Sequence, residues 1–309
     1  MTSLFHLLLS VALGLTSFQP ARQSAETATD EPGAEESAEL TPAMFVAKDE
    51  DTTVYLFGSM HMLPENVDWR TDAFDKALEE ADAVYFEVPM TPEFQMQAAA
   101  KMMQVGRLPQ GESLMDDLDE QQTERFKKLC AAIGAPAETV AGFKPGTAAV
   151  LLSGAMFQDM QLKAEEGVEL KVAEEARKRK LDLRGFETLD EQVELMFNMP
   201  EDIGMTMLKS MLDDSMEEGQ KELRALYEAW STGDMDEVLD IVDDMADDSQ
   251  ALYDRLLINR NKNWVEQLDK IMDEQAGEFL VVVGAGHLPG DEGVVELLKK
   301  AGTDVERVQ

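Results

Sequence analysis

Apolar and polar positions alternate in short runs toward the two ends of the chain and fall at helical spacing between them. AMFVAKDEDTTVYLFG (43–58) is two apolar runs around an acidic turn, which predicts a hairpin. DAFDKALEE (72–80) has helical spacing, and ADAVYFEVP (81–89) predicts a short buried strand stopped by Pro89. Helical spacing then dominates from about 92 to 180. RGFE (184–187) predicts another brief strand, after which Thr188 and Glu191 have the spacing of a capping box that opens a helix. Helices are predicted through 203–275, and EFLVVVG (278–284) is the cleanest buried strand in the chain. Asp291 is placed to cap a last helix ending at Lys299, Lys300 and Gly302, and DVERV (304–308) can return as an edge strand. The pattern predicts an α+β fold over residues 43–309: a central mixed β-sheet assembled from N- and C-terminal strands, with a large helical middle section.

The first 42 residues read differently. LFHLLLSVALGLTSF (4–18) is an apolar run too short to span a bilayer comfortably, followed by small and polar residues, the profile of a signal peptide over residues 1–24. No Lys or Arg precedes it, and no lipobox cysteine follows. Residues 25–42 form an acidic stretch with too little apolar surface to offset the entropy of ordering, and read as a disordered linker. An exported protein, periplasmic or secreted, is the expectation.

Charge narrows the partners. The chain carries 27 Lys+Arg against 63 Asp+Glu, a formal net charge of −36. Such a surface repels phosphate backbones and anionic lipid, which argues against nucleic acid and against membrane docking after signal removal. A peptide or small-molecule substrate is the partner expected. The single cysteine, Cys130, excludes an intrachain disulfide, a CxxC pair and a thiolate-rich zinc site; in FKKLCAAIG it reads as a buried helical residue.

The chemical signal is a short echo. Of three histidines, His6 lies in the apolar leader, and the other two each stand three residues after a glycine that ends an apolar strand: YLFGSMH carries Gly58 and His61, VVVGAGH carries Gly284 and His287. A strand running into Gly-x-x-His delivers its imidazole to the carboxyl end of a sheet, where open α/β sheets keep their ligand crevices. The glycine permits a turn that a Cβ would resist. If the two strands are neighbours, the imidazoles converge as metal ligands or as an acid/base pair. Glu87 sits inside an otherwise apolar strand, where it needs a metal, an arginine or a proton, and Glu187 closes the 184–187 run. Arg260 and Asn261, in LLINRNKNW, offer a fork donor and an amide, although such a pair on an amphipathic helix is commonly surface. GAGHLPG is not a dinucleotide fingerprint, because Pro289 takes the third glycine's place, and HExxH, GxSxG, Walker A and EF-hand motifs do not occur. Six of the twenty methionines cluster between Met196 and Met216; such helices can line a groove for peptides or haem, and more often fill a core.

YLFGSMHMLP, ADAVYFEV, FKP (143–145), GVE (167–169), RGFETLDEQVELMF, NRNKNW and FLVVVGAGHLPGDEGVVELLKKAG occur in an order that resembles the TraB/GumN family, itself related to the Tiki metalloproteases and more distantly to erythromycin esterases and a haem-binding lipoprotein group. The resemblance covers about residues 43 to 309. It implies that His61 and His287 are metal-site histidines, Glu87 and Glu187 the acidic members of the site, and Arg260 and Asn261 nearby polar support. Such proteins often carry an aromatic residue after the KP, where this chain has Gly146. The leading expectation is therefore an exported metal-dependent hydrolase, a peptidase. His61, His287 and Glu187 would hold a divalent ion (Mn, Co or Zn), Glu87 would be the general base, and Arg260 would stabilise the oxyanion; the two glutamates could also exchange roles. The alternatives are a haem- or ligand-binding protein without turnover and a metal-free esterase using one histidine as base.

Overall fold

A hairpin opens the described part of the chain. β1 (Met44–Lys48) and β2 (Thr52–Ser59) pair antiparallel from Met44↔Phe57 to Lys48↔Thr53. The acidic turn is built on Asp49, whose carboxylate accepts the backbone N–H of Asp51 and Thr52 at 3.1 and 2.8 Å. The computed structural model describes residues 40–158, 160–213 and 215–309, so the predicted signal peptide and nearly all of the acidic linker lie outside the described residues.

β3 (Ala83–Phe86), β4 (Asp182–Gly185), β5 (Gly277–Gly284) and β6 (Asp304–Arg307) complete a six-stranded sheet in the order β4-β3-β5-β2-β1-β6. β4, β3, β5 and β2 are mutually parallel, and β1 runs antiparallel to both β2 and β6. The sheet is mixed and joins distant segments, as the apolar pattern predicted. β3 and most of β5 are buried throughout, which is why they read as continuous apolar runs: a parallel strand covered on both faces has no solvent side on which to alternate.

The helices longer than one turn are α1 (Asp72–Glu80), α2 (Pro92–Val105), α3 (Glu120–Ala132), α4 (Pro145–Gln158), α5 (Val168–Arg179), α6 (Leu189–Phe197), α7 (Glu201–Asp213), α8 (Met216–Thr232), α9 (Met235–Asp248), α10 (Asn259–Glu274) and α11 (Val294–Ala301). Thr71 caps α1 through Phe74 N–H, and the Thr188–Glu191 capping box opens α6 as its spacing predicted. One wide turn of π-helix, Asp254–Ile258, precedes α10. α11 ends at Gly302 in the left-handed region (φ 104°), but its N-cap is Gly293 and not Asp291. The GDEG turn folds back so tightly that a Cβ at residue 293 would lie 2.0 Å from the Pro289 carbonyl oxygen, and Asp291 is left outside, taking Lys300 Nζ on its own carbonyl at 2.6 Å. β3 and β4 also end earlier than expected, so Glu87 and Glu187 stand just past the strands that deliver them. Met196, Met199, Met207 and Met211 are core residues, and so is Cys130 on α3. Among the described residues no helix is long and apolar enough to cross a membrane.

Candidate active site

Four parallel strands end side by side, and each releases one candidate residue from its carboxyl end. β2 and β5 are in register from Thr52↔Gly277 to Ser59↔Gly284, so the two Gly-x-x-His segments leave the sheet together. β3 lies on the other side of β5 and leads into Glu87; β4 leads into Glu187, whose N–H donates to the Glu87 carbonyl at 2.9 Å. His61 Nε2 and His287 Nε2 stand 4.0 and 3.8 Å from the same Glu87 Oε1. The convergence expected from the echo is present. The reason for the glycines differs from the expectation, since neither has a positive φ. A Cβ on Gly58 would come within 3.2 Å of the Ala285 backbone and one on Gly284 within 3.2 Å of Glu87 Oε1, so both are small to let neighbours approach.

Arg260 occupies the middle, and it is buried. Its Nε donates to Glu187 Oε1 at 2.5 Å and its Nη2 to Glu87 Oε2 at 2.5 Å and Glu187 Oε2 at 3.3 Å. Its Nη1 donates to the Leu256 carbonyl at 3.1 Å and lies 3.2 Å from His287 Nε2. A guanidinium has five N–H groups and no acceptor. All five are spent, so the oxyanion role expected of Arg260 has no free donor in this arrangement. Trp264 and Gln192 also donate to Glu187, through Trp264 Nε1 at 3.0 Å and Gln192 Nε2. The π-helical turn supplies the Leu256 carbonyl, and α10 presents Arg260, Asn261 and Trp264 on one buried face, with the guanidinium 4.7 Å from the Trp264 ring centroid.

The two histidines have different settings. Because Arg260 can only donate, His287 Nε2 accepts, which leaves the proton on Nδ1 facing Asn261 Oδ1 at 2.6 Å. Burial and then the nearby guanidinium push His287 down to about 3, so it is neutral at pH 7. Burial also opposes charge on His61, but the Glu169 carboxylate, 2.6 Å from Nδ1, outweighs it and holds this imidazole above its ordinary value. Burial would raise Glu87 as well; Arg260 and the histidines instead bring it to about 2. Among the described residues, two buried side-chain atoms of this site have no hydrogen-bond partner: His61 Nε2 and Glu169 Oε2.

Glu169 is the residue that sequence reasoning missed. GVE (167–169) has a physical role at each position. A Cβ on Gly167 would lie 1.9 Å from the His61 carbonyl oxygen, Val168 N–H donates to the Met60 carbonyl at 3.0 Å, and Glu169 receives His61 and the Ser59 hydroxyl. GVE was among the segments that carry the family resemblance, but the glutamate itself stood out only as an acid in the first turn of a helix, a position where glutamate is common for the sake of the helix dipole.

A family model for the TraB/PrgY/gumN family matches residues 43–307. The chain belongs to that family. Among its relatives are the protein YbaP of Escherichia coli (strain K12) and YbaP of Shigella flexneri, each 24% identical over 260 residues, which is 84% of this chain and 92% of the relative. No solved structure matches.

A divalent ion on the His61, His287 and Glu187 set does not fit the arrangement as folded. Both Glu187 oxygens accept from Arg260 and from Trp264 or Gln192, and the His287 Nε2 lone pair faces a guanidinium. Among the described residues no group of three His, Cys, Asp or Glu is arranged to hold a metal ion. At Gly146, where the resemblance led to the expectation of an aromatic, there is little room: a Cβ would meet Met199 Sδ at 2.6 Å, and Gly204 of α7 presses on the Gly146 backbone.

Proposed function

We propose that this member of the TraB/PrgY/gumN family is an exported hydrolase of carboxylic ester or amide bonds in which His61 activates the attacking water. The observation that carries the reading is the buried His61 Nε2, without a partner, on an imidazole whose Nδ1 is held by Glu169 at 2.6 Å. A base needs a free lone pair and a fixed ring, and Glu169 supplies the second. Nε2 takes a proton from water as its oxygen attacks the carbonyl carbon. The imidazolium so formed faces the Glu169 carboxylate and, at 4.0 Å, ionised Glu87, and it returns the proton to the leaving alkoxide or amine. Glu87, held at about 2, is too weak a base for that step at neutral pH. Arg260 acts through its charge, holding Glu87 ionised and His287 neutral. Export rests on the apolar segment 4–18 and is checked by fractionation.

A metal-dependent peptidase is the second reading, favoured by the same open Nε2 beside Glu87 Oε1; it would require Arg260 to move off His287. The test is hydrolysis of a nitrophenyl ester and a fluorogenic peptide panel by purified protein and by the His61→Gln variant, before and after exhaustive chelation. Turnover that survives chelation and is lost in His61→Gln supports the first reading. Turnover lost on chelation and restored by Mn²⁺, Co²⁺ or Zn²⁺ supports the second. Equal turnover by His61→Gln overturns both.

A further inference from the structure

A cavity of about 330 Å³ lies between the 108–112 loop, the start of α4 and the turn joining α6 to α7. None of its lining residues belongs to the histidine site. Its size falls at the lower end of small-molecule pockets, roughly 300–1,000 Å³. Leu108, Phe197 and Met199 give it an apolar wall, and Lys144, Glu112 and Glu201 line it as well.

Lys144 is unusual in its partner. In a chain with more than two acids for every base, its Nζ donates to a neutral acceptor, Asn198 Oδ1, at 2.5 Å, and it makes none of the described ion pairs. An ammonium has three donors, and the amide takes one. One cation and two carboxylates around an apolar wall complement a molecule that carries a carboxylate, an ammonium and an apolar side chain. An anion alone would meet two glutamates, and a cation alone would leave Lys144 without a counter-charge. Gly146 keeps this wall in place: any Cβ there would displace Met199, which Gly204 prevents from being met by a shift of α4.

We propose that this cavity binds a free α-amino acid with an apolar side chain, its carboxylate on Lys144, its ammonium toward Glu112 and Glu201, and its side chain against Phe197 and Met199. The site is independent of the hydrolase reading.

Calorimetric titration of the purified full chain with L-leucine, N-acetyl-L-leucine and L-leucinamide tests it. Leucine should bind saturably and each blocked analogue at least about tenfold more weakly, a difference of about 1.4 kcal/mol. Lys144→Met, with an unchanged circular dichroism spectrum, should weaken leucine by a similar factor, whereas His287→Gln should bind it like the parent even if turnover is lost. No saturation by leucine up to about 10 mM, well beyond a millimolar Kd, overturns the proposal. So does leucinamide binding as tightly as leucine, a comparison that needs no variant.

Discussion

His61 and His287 leave neighbouring strands from the same Gly-x-x-His motif, yet the fold gives them opposite electrostatic settings. Each has one ring nitrogen held by a side chain from elsewhere in the chain. For His61 that partner is a carboxylate, Glu169, and the imidazole is held above its ordinary pKa; for His287 it is the neutral Asn261, while Arg260 covers the second nitrogen, and the imidazole drops to about 3. Both side chains are largely shielded from water, 9% exposed for His61 and 1% for His287, so desolvation opposes charge on both. The charge on the partner separates them, because in a poorly screened interior one adjacent full charge outweighs the burial term. A repeated motif therefore delivers two rings to one place and leaves their roles to residues outside the motif.

The largest effect should come from removing what both rings share. Arg260→Met would leave Glu87 and Glu187 buried without their cation, and breaking such a buried pair costs about 3–5 kcal/mol. Chemical denaturation should show that loss, and a variant as stable as the parent would mean that water already screens the cluster. Next, Glu169→Gln should lower kcat about 100-fold, the lower end of what a positioned acid/base group contributes, with KM little changed. The same variant should bring the His61 titration down, whereas a role confined to packing would leave that titration where it was.

Acid stability separates the rings by sign. His287 is held at about 3, below the 6.5 of the unfolded chain, so its neutral form favours the fold above pH 6.5 and that stability is lost as pH falls toward 3. Glu87, lowered from 4.5 to about 2, adds a loss below pH 4.5. His61 runs the other way: its raised pKa contributes stability below pH 6.5 that disappears as pH rises through the raised value. In His287→Gln the fall between pH 6.5 and 4.5 should flatten while the fall below 4.5 persists, as measured by urea midpoints across that range. The smallest expected effect is Asn261→Asp, which gives His287 a carboxylate like that of His61 and should raise its pKa by at least about one unit, as an adjacent opposite charge does. Proton NMR of the two rings reads it directly, since residues 40–309 contain no other histidine.

The Gly-x-x-His echo pointed to adjacent strands because an apolar run followed by glycine leaves little choice of where the next polar residue emerges. Glu87 was legible for a related reason: a carboxylate inside an apolar run demands a partner. Glu169 was not, since a glutamate opening a helix is ordinary, and nothing in GVE tells that Gly167 is pressed against His61. Arg260 entered the expected site only through the family resemblance; its helical spacing alone read as surface, because spacing locates a polar residue on a face without saying what lies opposite. The expected cap at Asp291 failed because Gly293, not a capping side chain, let the turn close.

Local pattern by itself determined the strands, the capped helices and the identity of the two candidate histidines, since each depends on residues a few positions apart. Only the tertiary structure decided which partner each ring meets, that a guanidinium fills the space between the carboxylates, and that Lys144 faces a cavity without a carboxylate paired to it. Those contacts join residues 26 to 173 positions apart. Their energies depend on burial and on full charges brought together by the sheet order, and neither quantity exists before the chain has folded.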